Sequence, residues 1–246
     1  MFIILNYTNF FSDNYNRLPS SDIRTLYSAG TVELRNPSFS FKLERDGQDI
    51  ISRERTLLPY NCSDYGNGFY LCEDYRYAEK WLNMYFDGTG IINKYTLDMT
   101  GLEPKVFNID NNYDMLQYIC LLLDNSNAIP YDNIEHVQKF LHDNFDRSIY
   151  DEHVIIGPRL DSSYMRINRA LSSEDIDVNL FRDFIRLYDL SDQVYLQSEK
   201  AFSRIEFVSS SIVSKQDNYN SYREDYESFI VAKELSKQLL NRKGLL

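Results

Sequence analysis

Cysteine, glycine, histidine and basic residues are all sparse in this chain, and each scarcity removes a class of explanation. The three cysteines, Cys62, Cys72 and Cys120, are an odd number with no CxxC spacing. A disulfide framework or a structural zinc site is therefore disfavoured, and a reducing, cytoplasmic setting is the expectation. Gly66-x-Gly68 and Gly88-x-Gly90 each lack the third glycine of a dinucleotide fingerprint. Neither joins a strand to a helix within a βαβ unit, and there is no phosphate-binding loop ending in lysine. His136, His142 and His153 contain no HExxH and no i, i+4 pair, so they read as surface or helix-face residues and no metal is expected. Acidic residues outnumber basic ones 37 to 26, for a net charge of −11. That balance argues against nucleic acid as a stably bound partner, less so as a transient substrate, since overall charge says little about one groove. No apolar run approaches the roughly 20 residues of a membrane span. The apolar start, Met1–Leu5, lacks a basic flank and is too short for a signal sequence, so it reads as a strand.

What the chain has is aromatic bulk. Of its 246 residues 43% are hydrophobic and 15% aromatic, enough for a real core and incompatible with disorder throughout. Periodicity gives strands at FIIL, at TLYSAGTVEL (broken around Ser28-Ala29-Gly30), and at GFYL, IINKYTL, HVIIG, QVYL and IEFV. Helices are predicted at Glu73–Met84, Asn112–Leu123, Ile134–Phe145 and around Val178–Tyr188. The second carries Tyr113, Leu116, Cys120 and Leu123 as its apolar stripe; the last carries Val178, Phe181, Ile185 and Tyr188, with Arg182, Asp183 and Arg186 opposite. Residues 35–66 have no sustained period and read as a long excursion. After the polar linker KQDNYNS, Ser221 and Glu224 form a capping box for a C-terminal amphipathic helix with Tyr226, Phe229, Ile230, Leu235 and Leu239 on one stripe. Strands spaced by irregular intervals point to α+β architecture rather than regular βαβ alternation.

The stretch Ser63–Trp81, SDYGNGFYLCEDYRYAEKW, raises the functional question. Taken alone, GNGFY is a tight turn entering a strand and Trp81 is a core aromatic. Two other segments, Leu26-Tyr27-Ser28-Ala29-Gly30 upstream and Asp192-Gln193-Val194-Tyr195-Leu196 downstream, add a second reading. The three in this order resemble the core of ADP-ribosyltransferases of the diphtheria-toxin and poly(ADP-ribose)-polymerase type. In that family a strand ending in L-[WY]-H-G-[ST] precedes a G-x-G-[IF]-Y strand with a helix and distal aromatic, and then a strand with glutamate near its start. The resemblance is closer to a bacterial branch with LYHGS, D-[FY]-G-x-G-F-Y, A-x-x-W and YDxVIGP segments. Tyr150-Asp151, Ile155-Ile156-Gly157-Pro158 and QVYLQSEKAFSRIEF match its later blocks, and the resemblance spans residues 26–213.

The resemblance implies an ADP-ribosyltransferase-like domain over 1–213, with a split or mixed sheet, flanking helices, and a C-terminal linker and helix over 214–246. It implies NAD as substrate and no metal. Tyr70 and Trp81 would be two aromatic walls for the flat, cationic nicotinamide, which such rings attract by roughly 0.5–2 kcal/mol each. Main-chain groups of Ala29 would grip the carboxamide, with Gly30 and Gly68 beside the nucleotide. Ser28 stands where the family has a ribose-holding histidine, and Gln193 where it has glutamate. Ser28, Tyr70 and Gln193 would thus form the catalytic set. Glutamine can bind a 2′-hydroxyl but places no negative charge beside an oxocarbenium-like state. At ~4 Å and an effective dielectric of about 20 that charge is worth up to ~4 kcal/mol, so its loss costs on the order of 10²–10³ in rate. Mono-ADP-ribosyl transfer is the expectation and polymer synthesis is not, because Gln193 cannot activate an acceptor. A degenerate relative binding a nucleotide or a protein is the alternative. Membership of a toxin or phage-defence system would imply a neutralising partner, and the acceptor, protein or nucleic acid, is not specified. Arg45, Arg53 or Arg55 of the excursion could meet a pyrophosphate.

Overall fold

The computed structural model describes residues 23–30, 33–37, 65–66, 68–85, 89–125, 134–159, 178–188 and 192–214, together with 231, 234, 235 and 238. The FIIL strand, Cys62, the excursion's three arginines, the polar linker and the capping box lie outside the described residues. The chain is α+β. Strands β1 (Ile23–Gly30), β2 (Phe69–Cys72), β3 (Thr89–Asp98), β4 (Lys105–Val106), β5 (Val154–Gly157), β6 (Gln193–Leu196) and β7 (Ile205–Ser214) form one sheet. Five helices accompany them among the described residues: α1 (Tyr75–Tyr85), α2 (Asn112–Asp124), α3 (Ile134–Asn144), α4 (Val178–Tyr188) and α5 (Glu199–Phe202). The sheet order is β4-β5-β6-β2-β1-β3-β7. Only the β4–β5 pair is parallel, so the sheet is mixed.

Three local readings differ from the sequence expectation, each for a physical reason. β1 is not broken at Ser28-Ala29-Gly30, because β3 pairs with it along its whole length, from Ile23↔Asp98 to Gly30↔Ile91. A complete ladder overrides the weak strand preference of alanine and glycine. α1 begins two residues later than predicted, because Asp74 caps it: its carboxylate accepts from the Arg76 N–H at 2.8 Å. α2 has no single apolar stripe, since Met115 and every residue from Gln117 to Leu123 are buried. It runs through the core, packed against both α3 and α4, whereas Tyr113 at its start is exposed.

Alternation along the strands gives each sheet face its own core. One face holds Leu26, Phe69, Leu71, Leu97, Val194 and Leu196, closed by Phe202 of α5. The other holds Tyr65, Phe107, Tyr118, Ile155 and Tyr195 beneath α2, α3 and α4. On that same face α1 covers a smaller cluster of Cys72, Ala78, Leu82, Ile92 and Val213. α4 presents Leu180, Phe181 and Ile185 inward, while Arg182 reaches the Ile109 carbonyl at 2.7 Å and Arg186 pairs with Asp110. Of the C-terminal segment, the four described residues are helical, with Val231 and Leu235 exposed.

Candidate functional site

Three segments far apart in sequence become neighbours in the middle of the sheet. β6, β2 and β1 lie side by side, with Tyr70 opposite Tyr195 and Cys72 opposite both Gln193 and Tyr27. Directly opposed residues in antiparallel strands share a face. Tyr70, Gln193, Tyr27 and Ala29 therefore point to the side that α1 covers. Ser28 is out of phase with them and opposes Asn93, so its side chain lies on the other face, that of Leu26 and Leu71. β1 and β2 share the single rung Tyr27↔Cys72. Beyond it Ala29 and Gly30 pair with β3, and Phe69 and Tyr70 with β6.

The double-glycine turn is built around tyrosines. Gly66 has φ of 103°, the left-handed region that glycine adopts without strain. A side chain at Gly68 would strike the Tyr195 ring and the Leu196 carbonyl oxygen, both well inside 3.0 Å. The Tyr70 hydroxyl donates to the Gly66 carbonyl at 2.8 Å and accepts from the Tyr65 N–H at 3.0 Å. Its ring packs on Tyr195 with centroids 4.9 Å apart. Tyr65 and Tyr195 are buried, whereas Tyr70 is half-buried. The phenol oxygen is thus engaged in holding the turn, and the ring packs against Tyr195 and Tyr65.

Gln193 is buried at the start of β6, and Gly157 of β5 is directly opposite. Its amide N–H points to the Pro158 carbonyl at 3.5 Å, and the same carbonyl accepts from the Tyr65 hydroxyl at 2.8 Å. The next residue, Arg159, lays its guanidinium carbon 3.2 Å from the centroid of the Trp81 ring. Trp81 is half-buried on α1, not sunk in the interior. Arg159 also acts on Cys72. Burial pushes that thiol up to about 11, the charge of Arg159 pulls it back and Asp74 pushes it further up. Burial likewise raises Cys120 to about 12, so neither thiol is a ready nucleophile near neutral pH.

The Tyr150 block serves as a buttress. The Tyr150 hydroxyl donates to Asp124 at 2.6 Å and accepts from the Asn125 amide at 3.3 Å. Burial, then the bond to Asp124, raises its pKa. The Asn125 side chain in turn lies against Gly66. Among the described residues no group of three or more His, Cys, Asp or Glu could hold a metal ion, and no helix is long and apolar enough to cross a membrane. Two residues of the site escaped sequence reasoning. Tyr65 is marked only by preceding the double glycine, and Arg159 only by following Gly157-Pro158, a strand end that faces Gln193 once β5 and β6 pair.

No curated protein and no solved structure matches the chain. A family model does match over residues 47–207, about two thirds of the chain, taking in β2 through the first residues of β7 and leaving β1 outside. The chain belongs to that family, DUF3990, described as proteins of unknown function.

Proposed function

We propose that this protein is a mono-ADP-ribosyltransferase of the diphtheria-toxin/poly(ADP-ribose)-polymerase type, using NAD as substrate. The observation that carries the reading is the cation already seated on Trp81. A wall for nicotinamide must hold a flat cationic group against its ring face, and the guanidinium of Arg159 lies 3.2 Å from the Trp81 centroid. The neighbouring geometry agrees with it. Tyr70 is half-buried on the same sheet face as Gln193. β1 and β2 share the single rung Tyr27↔Cys72, and main-chain groups of Ala29, two residues beyond it, would take the carboxamide. Gln193 would hold a ribose hydroxyl through its amide.

Ser28 contributes differently from a ribose-holding histidine. Its side chain belongs to the opposite sheet face, so the main chain of Ser28–Gly30 carries more of the binding. Gly68 and Gly30 act through shape, Gly68 by letting Tyr195 pack flat on the turn.

A second reading has its own support. Gln193 is uncharged and Arg159 adds a positive charge near it, the reverse of what a developing cation needs. That combination favours a module that binds a nucleotide or a protein without turnover. The two separate in one experiment. Purified protein is incubated with NAD⁺ carrying labelled adenylate, in the presence of a whole-cell extract as acceptor, beside Gln193→Ala and Trp81→Ala. Label on an acceptor that both variants lose supports transfer. Saturable NAD⁺ binding without label supports the module, and no binding at millimolar NAD⁺ rejects both. Partners of the system, whether acceptor or neutralising protein, would follow from what the label marks.

A further inference from the structure

A flat cation on one face of an aromatic ring excludes any other from that face. The Arg159 guanidinium at 3.2 Å from the Trp81 centroid is at stacking distance, with no room for a second planar group between them. The root of this side chain is fixed. The Pro158 carbonyl beside it accepts from the buried Tyr65 hydroxyl at 2.8 Å and faces the Gln193 amide at 3.5 Å. β5 is held opposite β6 through Gly157↔Gln193. Arg159 is therefore delivered to Trp81 by a rigid strand end and can leave only by swinging its side chain. It comes from the end of β5, next to β6 with Gln193, while Tyr70 lies on β2 beyond β6, and its charge is felt at Cys72, opposite Gln193.

We propose that Arg159 is the resident cation of the Trp81 slot and a specificity-determining residue: only a ligand that brings its own planar cation can take its place. The inference rests on reading Trp81 as the wall of a pyridinium slot. The physical basis is competition for one ring quadrupole. A neutral ring stacking on Trp81 gains contact area but forfeits the cation–π attraction that Arg159 gives up, whereas a pyridinium recovers it. Displacement also links the two sides of the site. A ribose hydroxyl that draws the Gln193 amide away from the Pro158 carbonyl loosens one of the contacts at the root of Arg159.

Trp81 is the only tryptophan in the chain, so intrinsic fluorescence reads this ring directly. The full-length protein is compared with Arg159→Ala and with Arg159→Gln, which keeps more of the side chain should the first fold poorly. Emission is recorded without ligand, then during titration with 1-methylnicotinamide, a small permanently charged pyridinium, and with NAD⁺. The expected result is a changed emission on substitution and about tenfold tighter 1-methylnicotinamide binding, the scale of one cation–π contact. Unchanged emission, or binding that is equal or weaker in the variants, overturns the inference. ADP-ribose, with both phosphates and no pyridinium, should leave Trp81 emission of the native protein unaltered; a response equal to that of NAD⁺ would also overturn it. If NAD⁺ acts on none of the proteins while 1-methylnicotinamide quenches the variants more strongly, the transferase reading fails and the resident cation stands.

Discussion

Replacing Tyr70 with phenylalanine separates what its hydroxyl does from what its ring does. The hydroxyl spans the double-glycine turn, donating to the Gly66 carbonyl at 2.8 Å and accepting from the Tyr65 N–H at 3.0 Å. Phenylalanine deletes both bonds and leaves the ring against Tyr195, where the centroids are 4.9 Å apart. Each bond has a net worth of about 1 kcal/mol, and the half-buried position lets water recover only part of the loss. The variant should therefore be about 2 kcal/mol less stable. For a domain of this size that is a fall in Tm of roughly 4–8 °C. Urea unfolding should show a lower midpoint with unchanged slope, the mark of a stability change without a change in exposed surface. NAD⁺ binding should persist in the folded variant, because a phenyl face stacks on a pyridinium much as a phenol face does. A loss below about 0.5 kcal/mol would refute the claim that this hydroxyl holds the turn, on the scale of one hydrogen bond. Loss of NAD⁺ binding with stability intact would instead assign the hydroxyl to the ligand.

Three further outcomes follow from the same geometry. Gly68→Ala forces a methyl against the Tyr195 ring and the Leu196 carbonyl oxygen; overpacking against backbone should cost at least about 2 kcal/mol, measured by urea unfolding, and a neutral effect would contradict the close approach. Gln193→Glu places a carboxylate in the proposed transferase site, and initial rates of labelled transfer should rise by up to ~10² if that charge meets a developing cation; an unchanged rate in a folded variant would count against a reacting ribose at that position. In a Cys62→Ser background, Cys72 and Cys120 should resist a disulfide reagent at pH 8, where a thiol titrating at about 11 is one part in roughly 10³ thiolate, and both should react once urea unfolds the chain; rapid labelling of the folded protein would show that burial does not govern them.

Most of the fold was legible wherever local periodicity and tertiary demand agreed. QVYL is β6, residue for residue, and the Val178–Tyr188 helix has the bounds its stripe suggests. Failures occurred where the partner, not the segment, decides. β1 continues through Ala29 and Gly30 because β3 lies beside it, and nothing within LYSAG announces a ladder. α2 is buried nearly all round because two helices and the sheet surround it, so a single stripe understated it. The two-residue β4 exists only by pairing with β5, and no period can be read from two residues. Around the candidate site, local pattern placed Tyr70 on a strand and Trp81 on the helix that follows it, and those elements are present. Arg159 was not legible, since 78 residues separate it from Trp81 (159 − 81) and only the closure of β5 on β6 and β2 brings them together.

That difference decides how much each feature argues about function. Gly66, Gly68 and Tyr70 are accounted for by folding alone: one supplies a left-handed turn, one clears space for Tyr195, and the Tyr70 hydroxyl ties the turn together. A protein that never met a nucleotide would still need them to hold β2 against β6. The same cannot be said of a guanidinium on a half-buried indole. Such a contact gains about 0.5–1 kcal/mol at an exposed site and about 2 kcal/mol when desolvated, and packing the rest of the Trp81 ring from α1 onto the sheet would gain roughly 25 cal/mol per Å² of apolar area. Trp81, half-buried on α1, instead carries on its ring a group of the charge and flatness that a pyridinium has. The indole and its cation, more than the glycines, thus favour the proposed slot, and the glycines contribute only by fixing where β2 begins.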